Sequence, residues 1–318
     1  MLPTKAYAAP AVSAPLVPFD FERRAVGAHD VLIDIQFCGV CHSDLHQVRD
    51  EWGGAIFPMV PGHEIVGRVT QVGAQVKNFK VGDVAGVGCM VDSCRACPSC
   101  LDGLEQYCET TGMVGTYGGT EKETGRPTYG GYSSQIVVDE NYTLKVSEKL
   151  DQARVAPLLC AGITTYSPLR QWKVGPGHRV AVMGLGGLGH MAVKLAAAMG
   201  AEVTVLSTSP GKEADARALG AHQFIVTKDE AQLKSVGNYF DFILNTVSAP
   251  LDLGQYVSLL RRDGTMILLG VPPEAPQLHA FALIGKRRRV AGSLIGGIAE
   301  TQEKIGRASC RERVCSTV

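Results

Sequence analysis

The sequence predicts an α/β chain of two domains, a β-rich one first and a doubly wound parallel sheet second. Three observations carry this. Short strand candidates separated by glycine- and aspartate-containing turns fill the first half. Beyond about residue 150, apolar strand-like runs alternate with helical stretches. A glycine loop, Gly184-Leu185-Gly186-Gly187-Leu188-Gly189, follows one such strand and opens one such helix.

In the first half, residues 31–37 and 65–72 are apolar runs of strand length, and 132–138 and 142–146 are shorter ones. Together they suggest a compact, partly barrel-like β domain. In the second half, residues 179–183, 202–206 and 224–226 read as strands, with 190–199 and 211–219 helical between them. Residues 241–244 and 265–269 are further strands flanking a helical stretch at 251–262. Strands alternating with helices imply parallel pairing. The expected division is 1–156 for the β-rich domain, 157–300 for the sheet domain and 301–318 for a C-terminal segment.

Composition excludes several classes of function. Apolar residues make up 45% of the 318, charged residues 19%, and the formal net charge is zero, so neither a nucleic acid nor a membrane surface is an expected partner. No apolar run is long enough to cross a bilayer. The N-terminus, Met1-Leu2-Pro3-Thr4-Lys5, lacks the apolar core of a secretion signal, and a cytoplasmic location is the default. Ten cysteines are then better read as metal ligands than as disulfides.

Cys94-x2-Cys97-x2-Cys100-x7-Cys108 is the most specific local motif. Four thiolates fill the tetrahedron of Zn²⁺ and leave no room for substrate, so this is a structural site. An iron–sulfur cluster is the chemical rival. Three further segments are weak singly: Gly39-Val40-Cys41-His42-Ser43-Asp44-Leu45-His46, Pro61-Gly62-His63-Glu64 and Cys160-Ala161-Gly162.

Together with the cysteine lobe and the glycine loop, these segments resemble the zinc-containing medium-chain alcohol dehydrogenases, cinnamyl-alcohol dehydrogenase branch. The resemblance spans about residues 5–303. It implies a GroES-like catalytic domain joined to a Rossmann domain, and two zinc ions per chain. Cys41, His63 and Cys160 would hold a catalytic zinc with one open position, where the metal acts as a Lewis acid on an alcohol or aldehyde oxygen. Glu64 would approach the metal during ligand exchange, or else be a buried carboxylate satisfied by an arginine. Asp44 would fix the tautomer of His63, and Ser43 and His46 would relay a proton to solvent. His42 is read as a supporting or cofactor-facing residue.

The glycine loop stands in the strand–helix context that makes Gly184, Gly186, Gly187, Leu188 and Gly189 a pyrophosphate cradle, although a tight turn would show the same glycines. An NAD enzyme would place an acid about twenty residues on. Ser207 stands there instead, followed by Thr208, Ser209 and Lys212. Hydroxyls and a cation suit a 2′-phosphate, so NADP is expected over NAD, with dual use the alternative. Thr164 resembles the family residue that packs on the nicotinamide. Val271 and Ser293 either hold its carboxamide or pack at strand ends.

By family position Gln47, Trp52, Cys89 and Met90 lie near the substrate, favouring hydrophobic aliphatic or aromatic alcohols and aldehydes, though Trp52 also suits a core. The resemblance also implies a homodimer formed through residues 289–295. The alternatives are another medium-chain reductase, such as a polyol dehydrogenase, or a non-catalytic NADP-binding zinc protein. From about residue 305 the chain reads Ile305-Gly306-Arg307-Ala308-Ser309-Cys310 and onward with no helical apolar stripe. It resembles translated adapter DNA, so residues 305–318 are expected to be non-native and the family's C-terminal segment missing.

Overall fold

The structure, a computed structural model, describes residues 1–310. The described chain divides into two compact units: Met1–Ile163 with Ile295–Cys310, and Thr164–Leu294.

The first unit carries strands β1 (Leu2–Ala8), β2 (Val17–Arg23), β3 (Asp30–Cys38), β4 (Ile65–Val72), β5 (Val84–Val87), β6 (Met90–Asp92), β7 (Val114–Gly115), β8 (Gln135–Asp139) and β9 (Leu144–Lys145). Five of them form an antiparallel sheet in the order β8-β3-β4-β5-β9. Alternate residues of β3 face inward. Val31 and Ile33 are fully buried and pair across the sheet with Val138 and Ile136. They join Ile65, Val69, Ala85 and Val87 in one core cluster. The expected strand at 142–146 shrinks to β9 because the Asp139 side chain accepts from Asn141 N and winds Glu140–Tyr142 into a 3₁₀ turn.

Register places the chemistry. Cys38, the last residue of β3, pairs with Ile65, the first of β4, and Ile65 also pairs with Val87, the last of β5. Residues just after β3, just before β4 and just after β5 therefore emerge at one end of the sheet. The helix Ile298–Cys310 packs on this same unit, where Ile305 is 1% exposed within an apolar cluster and Lys304 Nζ donates to the Leu158 carbonyl. The helix thus runs beyond Ile305, past the point where the sequence pattern lapses. Burial of Ile305 and an Arg307–Glu303 ion pair at 2.8 Å one turn apart support that last stretch. Residues 311–318 lie outside the described residues.

The second unit is a six-stranded parallel sheet. Its strands are β10 (Arg179–Met183), β11 (Glu202–Ser207), β12 (Gln223–Val226), β13 (Phe240–Asn245), β14 (Leu260–Leu268) and β15 (Arg289–Gly292), in the order β12-β11-β10-β13-β14-β15. Strand order reverses between β10 and β13, which is the switch point where doubly wound sheets bind ligands. Ala181, Met183, Phe240, Ile243 and Met266 fill its core. The helix expected over 251–262 is confined to Leu253–Val257. Leu260 already pairs with Phe240, and the register then shifts, so Arg261 and Arg262 belong to β14.

Candidate active site

Cys41, His63, Glu64 and Cys160 present ligand atoms that all lie within 4.8 Å of one another. Cys41 starts the helix His42–Val48, His63 and Glu64 immediately precede β4, and Cys160 precedes the helix Ala161–Gln171. The Cys41 and Cys160 sulfurs are 3.8 Å apart. Two thiolates at tetrahedral corners, each ~2.3 Å from zinc, would be separated by about 3.8 Å. The Cys160 contact and burial push the Cys41 thiol up to about 12. Its bond with Cys41 pulls Cys160 down, but the Cys89 thiol and burial outweigh this and leave it at about 11. Neither thiol ionises near neutrality by itself, and a divalent cation supplies the charge that would deprotonate both. Spacing and donor chemistry both fit zinc. Burial, followed by the neighbouring Cys41, pushes the Glu64 carboxyl up to about 7. Gly39 makes room for it, since a Cβ at Gly39 would collide with the Glu64 carboxylate.

Asp44 ties this group together. It is 3% exposed and accepts four hydrogen bonds. Oδ1 accepts from Gly62 N at 3.0 Å and His63 Nδ1 at 3.1 Å. Oδ2 accepts from Cys41 N at 2.9 Å and the Tyr132 hydroxyl at 3.1 Å. A proton on His63 Nδ1 leaves Nε2 with its lone pair free for a metal. Burial alone would raise the Asp44 carboxyl, but His63 and then the Cys41 backbone N–H hold it below the usual carboxylate range.

The second cysteine set is built differently. Cys94, Cys97, Cys100 and Cys108 also converge within 4.8 Å, with sulfur separations of 3.8 Å (Cys94 to Cys100) and 3.5 Å (Cys97 to Cys100). Backbone N–H groups of Ala96 and Cys97 donate to the Cys94 sulfur, that of Cys94 to Cys108, and that of Glu109 to Cys97. The Ser93 hydroxyl lies 3.1 Å from the Cys100 sulfur. Such bonds favour thiolates, and four thiolates saturate a zinc ion.

The glycine loop leaves β10 at Gly184, whose φ of +83° suits glycine. Nothing lies within 4 Å of a Cβ placed on Gly186 or Gly187, so that stretch of backbone is open to a ligand. Leu188 lies half-buried in the first turn of the helix. A Cβ on Gly189 would collide with the Gly184 carbonyl, so the third glycine serves strand–helix packing. Ser207 ends β11, 7% exposed, and its hydroxyl accepts from Ser209 N at 3.2 Å. Thr208 and Ser209 are exposed, and Lys212 Nζ donates to the Leu185 carbonyl in the glycine loop at 3.1 Å.

Other expected residues are distributed less uniformly. The Cys41 thiol donates to the Ser43 hydroxyl oxygen at 3.5 Å. His46 stacks between His42 and Trp52 at ring separations of 4.6 and 4.8 Å, and its Nδ1 is bonded to Glu51. Gln47 lies half-buried in the same helix. Cys89 follows β5 and donates to the Leu159 carbonyl at 3.7 Å, beside Cys160. Met90 departs from the expected pocket wall, because it is 2% exposed and packs in the core with Ile65 and Val87. Thr164 is buried in the helix Ala161–Gln171, Val271 is 52% exposed, and Ser293 N donates to the Leu268 carbonyl at 3.3 Å, continuing the ladder past β15. Tyr132, Tyr117 and Glu51 escaped sequence reasoning, because a phenol or an exposed acid distant in sequence carries no local motif.

Two family profiles match the chain: "Alcohol dehydrogenase GroES-like domain" over residues 27–148 and "Zinc-binding dehydrogenase" over residues 187–309. The chain is 56% identical over 305 residues to NADP-dependent alcohol dehydrogenase C 1 of Mycolicibacterium smegmatis, covering 96% of this chain and 87% of that protein. It is 54% identical to the aldehyde reductase YahK of Escherichia coli, covering 95% and 86%. Among solved structures, a Sorghum bicolor cinnamyl alcohol dehydrogenase superposes with a TM-score of 0.94 at 44% identity, covering 98% and 88%. The Helicobacter pylori CAD complexed with NADP(H) superposes at 0.91 and 47%, covering 96% and 88%. The chain belongs to the zinc-containing medium-chain alcohol dehydrogenases, and its fold is their GroES-like domain with a Rossmann sheet.

Proposed function

We propose that this chain interconverts primary alcohols and aldehydes by hydride exchange with NADP(H), using a catalytic zinc at Cys41, His63 and Cys160. The observation that carries the reading is the convergence of those three side chains, from segments far apart in sequence, at the sulfur spacing zinc requires. Zinc, when bound, supplies Lewis acidity toward the substrate oxygen, and NADP(H) supplies the hydride acceptor or donor. The chain does the rest. Asp44 holds His63 as the Nδ1–H tautomer and anchors the backbone of Cys41 and Gly62. Ser43 and His46 stand beside Cys41 and toward Glu51 as the groups that pass a proton outward. Glu64 is a carboxyl able to approach the metal when a ligand departs. Cys94, Cys97, Cys100 and Cys108 hold a second, structural zinc.

Backbone N–H groups at Gly186–Gly189 take the pyrophosphate, and Thr208, Ser209 and Lys212, with Ser207 beside them, take the 2′-phosphate. The absence of a carboxylate at Ser207 supports NADP over NAD, as do relatives named NADP-dependent. Thr164, Val271 and Ser293 are assigned to the nicotinamide end, and Gln47, Trp52 and Cys89 to the substrate. Trp52, 43% exposed and stacked on His46, supports a hydrophobic alcohol or aldehyde. Homodimerisation is supported by the edge strand β15 and by Phe281 and Ile284 nearby in sequence, 71% and 67% exposed. No helix among the described residues is long and apolar enough to cross a membrane. The six cysteines assigned to zinc serve as thiolates and not as disulfides, which supports a reducing, cytoplasmic setting.

The test is kcat/KM for a panel of aliphatic and aromatic aldehydes with NADPH and NADH. Turnover favouring NADPH by on the order of a hundredfold is expected, since a 2′-phosphate meets a cation and no acid. A preference for NADH, or no turnover by zinc-replete protein, overturns the reading.

A further inference from the structure

We infer that Tyr132 is a positioning residue for the catalytic metal, acting through Asp44. The inference rests on the reading of Cys41, His63 and Cys160 as zinc ligands. The Tyr132 hydroxyl donates to Asp44 Oδ2 at 3.1 Å, on the oxygen that also accepts from Cys41 N. Asp44 Oδ1 meanwhile accepts from His63. One carboxylate thereby connects the backbone of one ligand, the imidazole of a second and a phenol arriving from residue 132.

The chain is shaped to deliver that phenol. Gly130 N, Gly131 N and Tyr132 N donate to the carbonyls of Val60, Gly62 and Pro61 at 2.7, 2.8 and 2.9 Å. The tyrosine segment is therefore laced to the backbone that carries His63. Gly62 has a φ of +101°, and a Cβ there would stand 2.7 Å from Tyr132 Cδ1. Glycine is needed at that position both for its backbone conformation and for the close approach of the ring. The Tyr117 ring lies close by, 5.6 Å from that of His63.

The Tyr132 phenol, on the oxygen that also accepts from Cys41 N, fixes the carboxylate in rotation. A carboxylate free to turn would lose either Cys41 N or His63 Nδ1, and the imidazole would lose its orientation toward the metal. Partners outside the ligand sphere typically change metal affinity by about 10–100-fold. Tyr132 stands one bond further out, so about 3–10-fold is expected.

The experiment measures zinc release from the full chain to an excess of a chromogenic chelator, 4-(2-pyridylazo)resorcinol, alongside thermal melting. Wild type should release two zinc ions per chain in separable phases. In Tyr132→Phe, which removes only the hydroxyl, one phase should quicken about 3–10-fold while the other phase and the melting temperature stay unchanged. Equal rates in both phases, or both phases quickening together with a lower melting temperature, overturn the inference. If Tyr132→Phe does not accumulate as folded protein, Tyr132→Leu, which also removes the hydroxyl, is measured instead, with the same expected and overturning results. A single zinc in wild type overturns instead the underlying assignment of the ligands, so the two failures are distinguishable.

Discussion

Replacing Asp44 by asparagine perturbs one atom type at the centre of the proposed zinc site. Asp44 Oδ1 receives two N–H donors, from Gly62 and His63, while Oδ2 receives Cys41 N and the Tyr132 hydroxyl. An asparagine NH₂ placed on the first side would oppose both donors, or drive the His63 proton to Nε2 and abolish its ligation. The amide therefore settles with its oxygen toward Gly62 and His63 and its NH₂ toward Cys41 and Tyr132. A phenol can reverse and accept, but Cys41 N–H cannot. One buried donor is orphaned, at a cost of about 1–3 kcal/mol. His63 also loses an anionic partner. The expected outcome is zinc affinity at this site lower by about 10–100-fold, with the four-cysteine site unaffected. The assay is competition with a chromophoric chelator on the full chain. Affinity within twofold of wild type would refute the reasoning.

Three further outcomes are expected. Ser207→Asp places a carboxylate where a 2′-phosphate would sit, and at ~4 Å and an effective dielectric near 20 each unit of charge costs about 4 kcal/mol. Steady-state kinetics should show NADPH kcat/KM falling by about a hundredfold or more, and an unchanged cofactor ratio contradicts the assignment. Cys97→Ser opens the saturated cysteine lobe, so metal analysis should find one zinc lost, with a melting temperature lower by more than about 5 °C; retention of both ions contradicts a structural role. Gly189→Ala drives a Cβ into the Gly184 carbonyl, so NADP(H) affinity by fluorescence titration should fall at least about tenfold while the zinc content holds, and undiminished affinity contradicts the cradle.

Much of this was legible in residues alone, for reasons that differ from place to place. Cys94, Cys97, Cys100 and Cys108 fall close in sequence, so a turn suffices to join them. The glycine loop declares itself because strand, turn and helix are contiguous. Cys41 and Cys160 are 119 residues apart, and in sequence only family resemblance joins them with His63; the fold does so through the register of β3 and β4 and the Cys89 contact to the Leu159 carbonyl. The helical pattern over 251–262 outruns the helix Leu253–Val257 because Leu260, Arg261 and Arg262 carry no local signal that the irregular start of β14 falls there. Family position points Met90 at the substrate, yet at the start of β6 it packs into the core with Ile65 and Val87. The bond from Tyr132 to Asp44 is illegible in the sequence because a phenol's partner is fixed only by tertiary packing, here by the lacing of residues 130–132 to 60–62.

The most direct measurement pairs zinc content with turnover in Cys160→Ser. Wild type should carry two zinc ions per chain and reduce aldehydes with NADPH, whereas the variant should keep one ion, remain folded and lose that activity. Turnover that survives in the variant, or a single zinc in wild type, would contradict a catalytic ion held by Cys41, His63 and Cys160.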